Sequence, residues 1–420
     1  MNRYNVRLCG PQALGPTWDR EIQNIAPMSA DEGCPLAAKV HQLEPALGER
    51  LVKLVKAVGG RTAIASNPTG APDVWLSLYQ GALRQVVDAL RSWGQAEALT
   101  LAGELSAALD RSFRFVCPSC RVGSREFTWG QHTYVMGIVN VTPDSFSGDG
   151  LLAADDPQAN DPSAGFAERA VAQGLRMLAE GADILDVGGE STRPGAKPVD
   201  AEQEMARVLP VIRKLAAETD APLSIDTYRA SVAVAALEAG AHLVNDVWGL
   251  RMDAEMGHVV AAHGAPVVIM HNRSKPRDAA QEARLGGRYV GVHYDNLLGD
   301  ILRELREQVE HALACGIAED RIIIDPGIGF GKTVEQNLAL LDQIGELRVL
   351  GYPILLGPSR KSFIGYTLDL PPEERLEGTL TTLVAGVLRG GAQIVRVHDV
   401  KTAVRAVRMA DSLRQGGGES

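Results

Sequence analysis

The chain has 420 residues, of which 45% are hydrophobic, and a formal net charge of −10. This length suits a large barrel of about 250 residues plus one smaller domain, and the acidic balance argues against binding to nucleic acid or acidic membranes. No apolar targeting segment or bilayer-spanning stretch is evident in the sequence, so we expect a cytoplasmic protein.

Residues 1–112 are predicted to form an accessory domain with a small α/β or α+β fold. Apolar residues at helical spacing predict a helix over 47–58, and alternation predicts a strand over 74–78. The segments 81–93 and 96–110 are also predicted to be helical. No catalytic constellation occurs in this part of the chain, and the sequence does not indicate its role.

Cys117 and Cys120 form an isolated CxxC motif. A structural zinc site takes four ligands, and the nearby sequence offers no second pair. Cys9 and Cys34 are the cysteines that could complete such a site.

Residues 113–420 are predicted to form a (β/α)8 TIM barrel, which a hairpin over 127–134 precedes. Eight short apolar runs alternate with helical segments, as is typical of parallel strands buried on both faces. Polar residues with capping-box spacing begin two of the helices, at Asp200 to Gln203 and at Thr333 to Gln336. The runs lie at 135–139, 184–187, 223–225, 243–244, 267–270, 322–324, 354–356 and 394–395.

Polar or charged residues follow nearly every run, and in this fold the carboxyl ends of the strands build the active site. The last two strands lead to Ser359-Arg360-Lys361-Ser362 and to Arg396-Val397-His398, and Arg193 follows the second strand. We interpret these bases as an anion site, because phosphate is often held at this end of barrels. The alternative is that some of them pair with Asp399, Asp144 or Glu190.

Asp226, Asn245 and Asp325 end strands that also present Met270 and Phe330 to the same mouth. Buried carboxylates need hydrogen-bond donors, and the edge of a pterin or purine supplies them. The alternative for one residue, Asp226, is that it caps the helix predicted over 228–239.

Asn140, at the end of the first strand, is a neutral oxygen ligand that could hold Mg²⁺ together with diphosphate oxygens and water. An isolated asparagine at such a position is more often a hydrogen-bonding loop residue. The polar, glycine-rich loop 142–150 is typical of a lid that closes over substrate. The run Gly327 to Thr333 ends like a phosphate-binding loop, but Pro326 occupies the place of its first glycine.

These motifs together resemble the dihydropteroate synthase family of pterin-binding enzymes. The resemblance rests on 136–147, 188–195, 224–227, 245–246, 270–271, 325–332, 359–362 and 396–400. It implies condensation of 6-hydroxymethyl-7,8-dihydropterin diphosphate with p-aminobenzoate, with Mg²⁺ as cofactor and a homodimer as the assembly.

The resemblance also implies roles for individual residues. The pterin would be held by Asp226, Asn245, Asp325 and Lys361, lined by Met270 and stacked on Arg396. The diphosphate would meet Thr192, Arg396 and His398, with Asn140 on the metal. The p-aminobenzoate site would comprise Phe146, Arg193, Pro194, Phe330, Lys361 and Ser362. We expect Arg396, His398, Lys361 and Asp144 to be the catalytic residues.

One departure from the family pattern affects the lid. Family members carry Asp-Gly-Gly directly after the serine at 147, whereas this chain has Gly148-Asp149-Gly150. The loop acid that assists the reaction is therefore either Asp144 or Asp149. Two rival interpretations are a pterin-dependent methyltransferase that acts on a corrinoid and a non-catalytic pterin-binding paralogue. The loops at 142–150, 191–196 and 359–362 favour the synthase.

Overall fold

The computed structural model describes residues 4, 6–9, 36–65, 71–113, 115–142, 162–190, 199–274, 279–282, 284–290 and 292–416. The chain divides into two compact units. The first comprises Met1–Val116, Asp342–Gly351 and Arg389–Gly391, and the second comprises the remainder. The domain boundary proposed after residue 112 stays a prediction.

The first unit contains, among its described residues, a four-stranded antiparallel sheet and three α-helices. The elements are β1 (Arg7–Cys9), β2 (Leu36–Val40), α1 (Pro45–Ala57), β3 (Arg61–Ala65), β4 (Asp73–Leu78), α2 (Gln80–Ser92) and α3 (Ala96–Phe113). The strands pair in the order β1-β2-β4-β3. All five residues of β2, Lys39 included, are buried, so both faces of this strand are covered. The helical and strand segments predicted for this part of the chain are confirmed.

The second unit is built from eight parallel strands and the helices between them. Its strands are β7 (Tyr134–Asn140), β8 (Ile184–Gly188), β9 (Leu223–Asp226), β10 (Leu243–Asp246), β11 (Val267–Met270), β14 (Ile322–Asp325), β15 (Leu355–Leu356) and β16 (Ile394–Val397). Its helices are α4 (Pro162–Ala179), α5 (Ala201–Glu218), α6 (Ala230–Glu238), α7 (Met256–His263), α8 (Leu297–Ala314), α9 (Val334–Asp342), α10 (Ser362–Leu368), α11 (Leu376–Leu388) and α12 (Val400–Gly416). Short 3-10 helices cover Glu319–Arg321 and Pro372–Glu374 in this unit and Ile344–Leu350 in the first unit.

The eight strands form a barrel. They pair in the order β14-β11-β10-β9-β8-β7-β16-β15, and a parallel bridge between Ile324 and Ile354 joins the two ends of this order. All eight strands occur where the apolar runs predicted them, and the TIM barrel is confirmed. The carboxyl ends of the strands therefore meet at one mouth.

Two helices of the barrel begin with the predicted capping interactions. Asp200 accepts a hydrogen bond from the backbone N–H of Gln203 at 2.8 Å. Thr333 and Gln336 form the reciprocal pair, since each backbone N–H donates to the other side chain at 2.9 and 3.2 Å. These bonds satisfy N–H groups that the helix itself leaves without partners.

The hairpin predicted over 127–134 was wrong in position. The structure places it earlier, between β5 (Ser119–Val122) and β6 (Arg125–Thr128). Val122 pairs with Arg125, so the turn has two residues, and Gly123 takes the positive φ of +60° that such a turn requires. A second hairpin joins β12 (Ala279–Glu282) to β13 (Gly286–Tyr289). No helix among the described residues is both long and apolar enough to span a bilayer.

Candidate active site

Polar side chains occupy the carboxyl ends of the barrel strands, as the sequence predicted. Asn140, Asp226, Met270 and Asp325 are the last residues of β7, β9, β11 and β14. Asn245 is the register partner of Asp226 on the neighbouring strand.

Arg396 on β16 joins two acids that come from different strands. Its Nε donates to Asp186 Oδ2 at 2.6 Å, and its Nη2 donates to Asp226 Oδ2 at 2.7 Å. Asp186 is completely buried, and the side chain of Asp226 is 10% exposed. Because a buried carboxylate is costly without a partner, the guanidinium offsets part of the cost of placing two acids inside the mouth.

The hydrogen bonds of Asp226 bear on the alternative that it caps the helix predicted over 228–239. Helix α6 starts after Arg229, and Asp226 is bonded to Arg396 instead of capping the helix. Asp226 therefore belongs to the site.

Burial raises the pKa of Asp226 to about 7, with Arg396 opposing the shift and Asp186 adding to it. Burial alone would lower the pKa of Arg396, but the charges of Asp186 and Asp226 outweigh burial and raise it. The guanidinium is thus charged at every accessible pH, whereas Asp226 titrates near neutrality.

Asn245 is oriented by the same buried acid. Its Nδ2 donates to Asp186 Oδ2 at 3.0 Å. The amide orientation follows from this bond, because only the nitrogen can donate to a carboxylate. The amide oxygen of Asn245 is thereby left as an acceptor beside Asp226.

Asp325 and Lys361 form the opposite side of this charge cluster. Asp325 Oδ1 accepts from the backbone N–H of Gly327 at 2.7 Å. Burial raises the pKa of Asp325, and Lys361 is the main opposing charge. Burial lowers the pKa of Lys361 to about 8, while Asp325 and Asp226 raise it.

Lys361 also connects the cluster to an aromatic wall. Its Nζ lies 4.3 Å from the centroid of the Phe330 ring and donates to the carbonyl of Ile328. Gly329 has φ +80°, and a Cβ there would overlap Lys361 Cδ. Glycine at 329 is therefore required by both the backbone conformation and the close approach of Lys361.

The end of β16 carries a second basic group next to the loop after β15. Ser359 Oγ lies 3.0 Å from His398 Nδ1 and accepts from the His398 backbone N–H at 3.2 Å. Arg360 forms two bonds with Asp399, at 2.6 and 3.0 Å, which confirms the pairing proposed as one alternative. Ser362 is the first residue of α10.

A cavity of about 470 Å³ opens beside His398. Arg169 and Arg176 of α4 line it, together with Arg360 and Lys401. Its side chains give it a positive balance next to the strand end where the anion was predicted.

A buried lysine holds the loop between Asp325 and α9. Lys332 is 2% exposed, and its Nζ donates to the carbonyls of Gly327 and Phe330 at 3.0 and 3.1 Å. The same Nζ lies 3.2 Å from His271 Nδ1. Burial lowers the pKa of Lys332 to about 7, and Asp325 opposes the shift.

The tautomer of His271 follows from this contact. Because Nδ1 accepts from Lys332, Nε2 carries the proton and donates to Glu304 Oε2 at 3.1 Å. Burial lowers the pKa of His271 to about 3, so the ring is neutral. Arg273 is the cationic partner of Glu304.

Comparison with known proteins decides the family. Residues 136–398 match the family described as pterin binding enzyme. The chain belongs to the pterin-binding enzyme family. It is 46% identical over 291 residues to the dihydropteroate synthase of Clostridium beijerinckii, an alignment that covers 69% of this chain and 98% of that protein. The Bacillus subtilis dihydropteroate synthase is 45% identical over 291 residues, which are 69% of this chain and 92% of the relative.

Solved structures of pterin-binding enzymes give the same result. A Xanthomonas albilineans dihydropteroate synthase in complex with 7,8-dihydropteroate has a TM-score of 0.59 and 38% identity, and the match covers 71% of this chain and 99% of that one. The same enzyme with 4-aminobenzoic acid has a TM-score of 0.61 and 40% identity, over 71% of this chain and 98% of the other.

Some residues that resemble pterin-binding family positions lie outside the described residues. They are Asp144, Phe146, Asp149, Thr192, Arg193 and Pro194. Their roles stay predictions, as do the ligand contacts assigned to the residues described above.

One residue of this mouth, Asp186, was missed at the level of sequence. Asp186 lies within an apolar run, where it was counted as part of a buried strand. The signal was a single acid between apolar neighbours, a pattern that requires a buried partner. Glu190, which follows this strand and was named as a possible partner of the basic side chains, bonds to Arg229 and Tyr228.

Two metal sites were considered from the sequence, one for Mg²⁺ at Asn140 and one for zinc at Cys117 and Cys120, and their ligand atoms differ in chemistry. Among the described residues, no three His, Cys, Asp or Glu side chains are grouped as a metal site. Asn140 is partly exposed at the end of β7, and its amide oxygen is a ligand type that suits Mg²⁺ when phosphate and water complete the shell. Burial raises the pKa of Cys120 to about 12, which disfavours the thiolate that zinc requires. Cys34 and the side chain of Cys9 lie outside the described residues.

Proposed function

We propose that this chain condenses 6-hydroxymethyl-7,8-dihydropterin diphosphate with p-aminobenzoate, which makes it a dihydropteroate synthase. The observation that carries the proposal is the Arg396 fork between Asp186 and Asp226, beside Asp325 and Lys361 at one barrel mouth. It combines acceptors for a heterocycle edge with cations for a leaving anion.

Recognition of the pterin is supported by the arrangement of acceptors. Asp226, Asp325 and the amide oxygen of Asn245 are hydrogen-bond acceptors at the ends of three barrel strands, and they would accept from the N–H groups along the edge of an aminopyrimidinone. Met270, 2% exposed, supplies an apolar surface for the flat ring. Arg396 offers the plane of its guanidinium for stacking.

Departure of the diphosphate is supported by the bases at the end of β16. Arg396 and His398 would stabilise the negative charge that grows as the carbon–oxygen bond breaks and the diphosphate keeps the electron pair. The basic cavity beside His398 extends this positive field. Asn140 would hold Mg²⁺, which when bound neutralises phosphate charge.

The new bond forms between the pterin methylene carbon and the amine nitrogen of p-aminobenzoate. The nitrogen contributes its lone pair to the carbon and then loses one proton, so no protein nucleophile is required. Phe330 and the Lys361 ammonium beside it would form the p-aminobenzoate wall, with Ser362 facing the carboxylate. Asp144 or Asp149 would assist from the lid.

Release of pyrophosphate tests the proposal directly. The purified protein would be supplied with the pterin diphosphate, p-aminobenzoate and Mg²⁺, and we expect pyrophosphate and 7,8-dihydropteroate in equal amounts. Chelation of Mg²⁺ should stop the reaction, and Asn140→Ala should raise the Mg²⁺ concentration needed for half the maximal rate. Methyl transfer to a corrinoid without pyrophosphate release would overturn the proposal.

A matched pair of arginine variants tests the site. Arg396→Ala should remove most of the turnover because the fork is lost. Arg405→Ala, an exposed arginine on α12, should retain it. Near-normal turnover in Arg396→Ala would contradict the role of the fork.

Two further proposals concern the state of the protein. We propose a homodimer, as the family resemblance implies, and a location in the cytoplasm, as expected from the sequence. Light scattering on the eluted peak of a sizing column would give a mass twice the 44.8 kDa of one chain. A single-chain mass at micromolar concentration would contradict the dimer.

A further inference from the structure

Asp186 lies beneath the substrate-facing residues. It is the third residue of β8 and is completely buried, and its Oδ2 accepts from both Arg396 Nε and Asn245 Nδ2. These two donors belong to residues assigned above to the pterin diphosphate. One buried oxygen atom therefore sets the orientation of two residues of the site.

The geometry limits what Arg396 and Asn245 can do. With Nε of Arg396 fixed on Asp186 and Nη2 on Asp226, the plane of the guanidinium cannot rotate about its long axis. With Nδ2 of Asn245 fixed, the amide cannot flip and offer a donor where the pterin needs an acceptor. Without Asp186, no described side chain would fix the Asn245 amide, and Arg396 would keep only its bond to Asp226.

The other oxygen of Asp186 lies in a small polar layer of the barrel interior. Asp186 and Ser224 are register partners on β8 and β9, and both are completely buried. Asp186 Oδ1 and Ser224 Oγ have no hydrogen-bond partner among the described residues. A serine hydroxyl rotates freely about its bond and can donate, so a polar neighbour stands next to the acid.

A purely structural role would not favour an acid at this position. Replacement of a buried ion pair by apolar residues of similar volume is often neutral or stabilising. Orientation of two donors of the site does favour an acid here, because one of its oxygens accepts a hydrogen bond from each of them.

We propose that Asp186 is a positioning residue, which holds Arg396 and Asn245 in the orientation that binds the pterin diphosphate. The inference rests on the proposed function for its kinetic consequence, while the hydrogen-bonded arrangement can be tested without turnover.

Asp186→Asn is the discriminating variant, because it keeps the shape of the side chain and removes its charge. The asparagine oxygen can still accept from both donors, but it has no full negative charge, so the charge-assisted bond that fixes the Arg396 guanidinium becomes weaker. We expect kcat/KM for the pterin diphosphate to fall by about 10- to 100-fold, the usual effect of losing a group that orients a site residue. The KM for p-aminobenzoate should change less than about three-fold.

The pH profile supplies a readout that a loss of folding would not move. The Asp186 charge contributes to the raised pKa of Asp226, so its removal should shift the acidic limb of kcat/KM to lower pH. Asp183→Asn is the matched control, since Asp183 directly precedes the same strand and its Oδ2 accepts from the Val135 N–H at 2.8 Å. This variant should keep the kinetic constants and pH profile of the wild type per folded molecule.

The inference is overturned if Asp186→Asn keeps kcat/KM within two-fold with an unmoved acidic limb, or if its loss equals the loss of folded protein by circular dichroism. If the variant does not fold, ¹⁵N-arginine NMR of the wild type decides the matter. The Arg396 Nε–H, assigned by its absence in Arg396→Lys, should exchange at least ten-fold more slowly than that of Arg405. Equal exchange rates would overturn the inference. Failure of the wild type to release pyrophosphate would refute the proposed function alone, since the exchange measurement stands without it.

Discussion

Replacement of Lys332 by methionine removes the group that holds the loop 326–331 in shape. The ammonium donates to Gly327 O, Phe330 O and His271 Nδ1 at 3.0, 3.1 and 3.2 Å. Methionine fills a similar volume without any donor, so the three hydrogen bonds are lost, and of the three acceptors the Gly327 carbonyl keeps another donor, the Phe330 N–H. At about 1 kcal/mol for each lost bond, we expect the free energy of unfolding to fall by about 3 kcal/mol.

Urea denaturation followed by circular dichroism would measure this difference. Lys214→Met is the control, because the Lys214 side chain is 48% exposed and its Nζ lies 3.4 Å from its ion-pair partner, Glu168 Oε1. Exposed substitutions of this kind change stability by about 0.5 kcal/mol or less. Equal stabilities of Lys332→Met and the wild type would refute the hydrogen-bond reasoning, since the three acceptors would then need no donor.

The pH dependence of the same comparison has a defined sign. The pKa of Lys332 is lowered from 10.5 to about 7 by burial, so between these pH values the unfolded chain binds a proton that the folded protein has released. Stability from this group therefore rises with pH over that window. The stability advantage of the wild type over Lys332→Met should accordingly grow from pH 7 to pH 10, and a constant or shrinking difference would contradict the lowered pKa.

Three further outcomes are expected from the site. Arg396→Ala should lower the free energy of unfolding by about 3 kcal/mol at pH 8. At pH 5 the loss should be smaller, because Asp226 is then protonated, and urea titrations at the two pH values would measure both losses. A larger loss at pH 5 would be inconsistent with the raised pKa of Asp226. Gly329→Ala should raise the KM for p-aminobenzoate, because the added Cβ would displace Lys361. Gly264 has φ +59° and no atom within 4 Å of an added Cβ, so the control Gly264→Ala should lower stability without changing the KM. Equal KM values in the two variants would argue against the crowding of Lys361. The wild-type kcat/KM for the pterin diphosphate should rise with pH to a plateau above about 7 as Asp226 ionises, and a profile flat from pH 5 to 8 would exclude that role.

The barrel could be predicted from sequence because its signals are local. Each strand is a continuous apolar run, and the polar residue that ends it stands at the strand terminus whatever the rest of the chain does. The ends of these apolar runs are therefore enough to predict that Asp226 and Asp325 lie at the mouth. The hairpin before β7 was predicted too late in the chain, because the aromatic residues at 127–134 are also typical of strands. Its turn lies instead at Gly123, which has the positive φ that a two-residue turn needs.

The supporting network could not be predicted in the same way. Asp186 and Ser224 are single polar residues inside apolar runs, and their partners lie on strands distant in sequence. Lys332 belongs to a segment compared with a phosphate-binding loop, yet it points its ammonium at backbone carbonyls and His271. Such roles depend on which loops approach each other, and no periodicity in one sequence records that.

The discontinuity of the first compact unit limits how the chain can be shortened. Asp342–Gly351 belongs to that unit, and within it Glu346, completely buried, forms an ion pair with Arg7 at 3.2 Å. Deletion of the first 116 residues would remove the Arg7 guanidinium from Glu346, and loss of one partner of a buried ion pair is destabilising. The first compact unit therefore cannot be removed as one N-terminal segment, and we expect Glu346→Gln to reduce the stability cost of such a deletion.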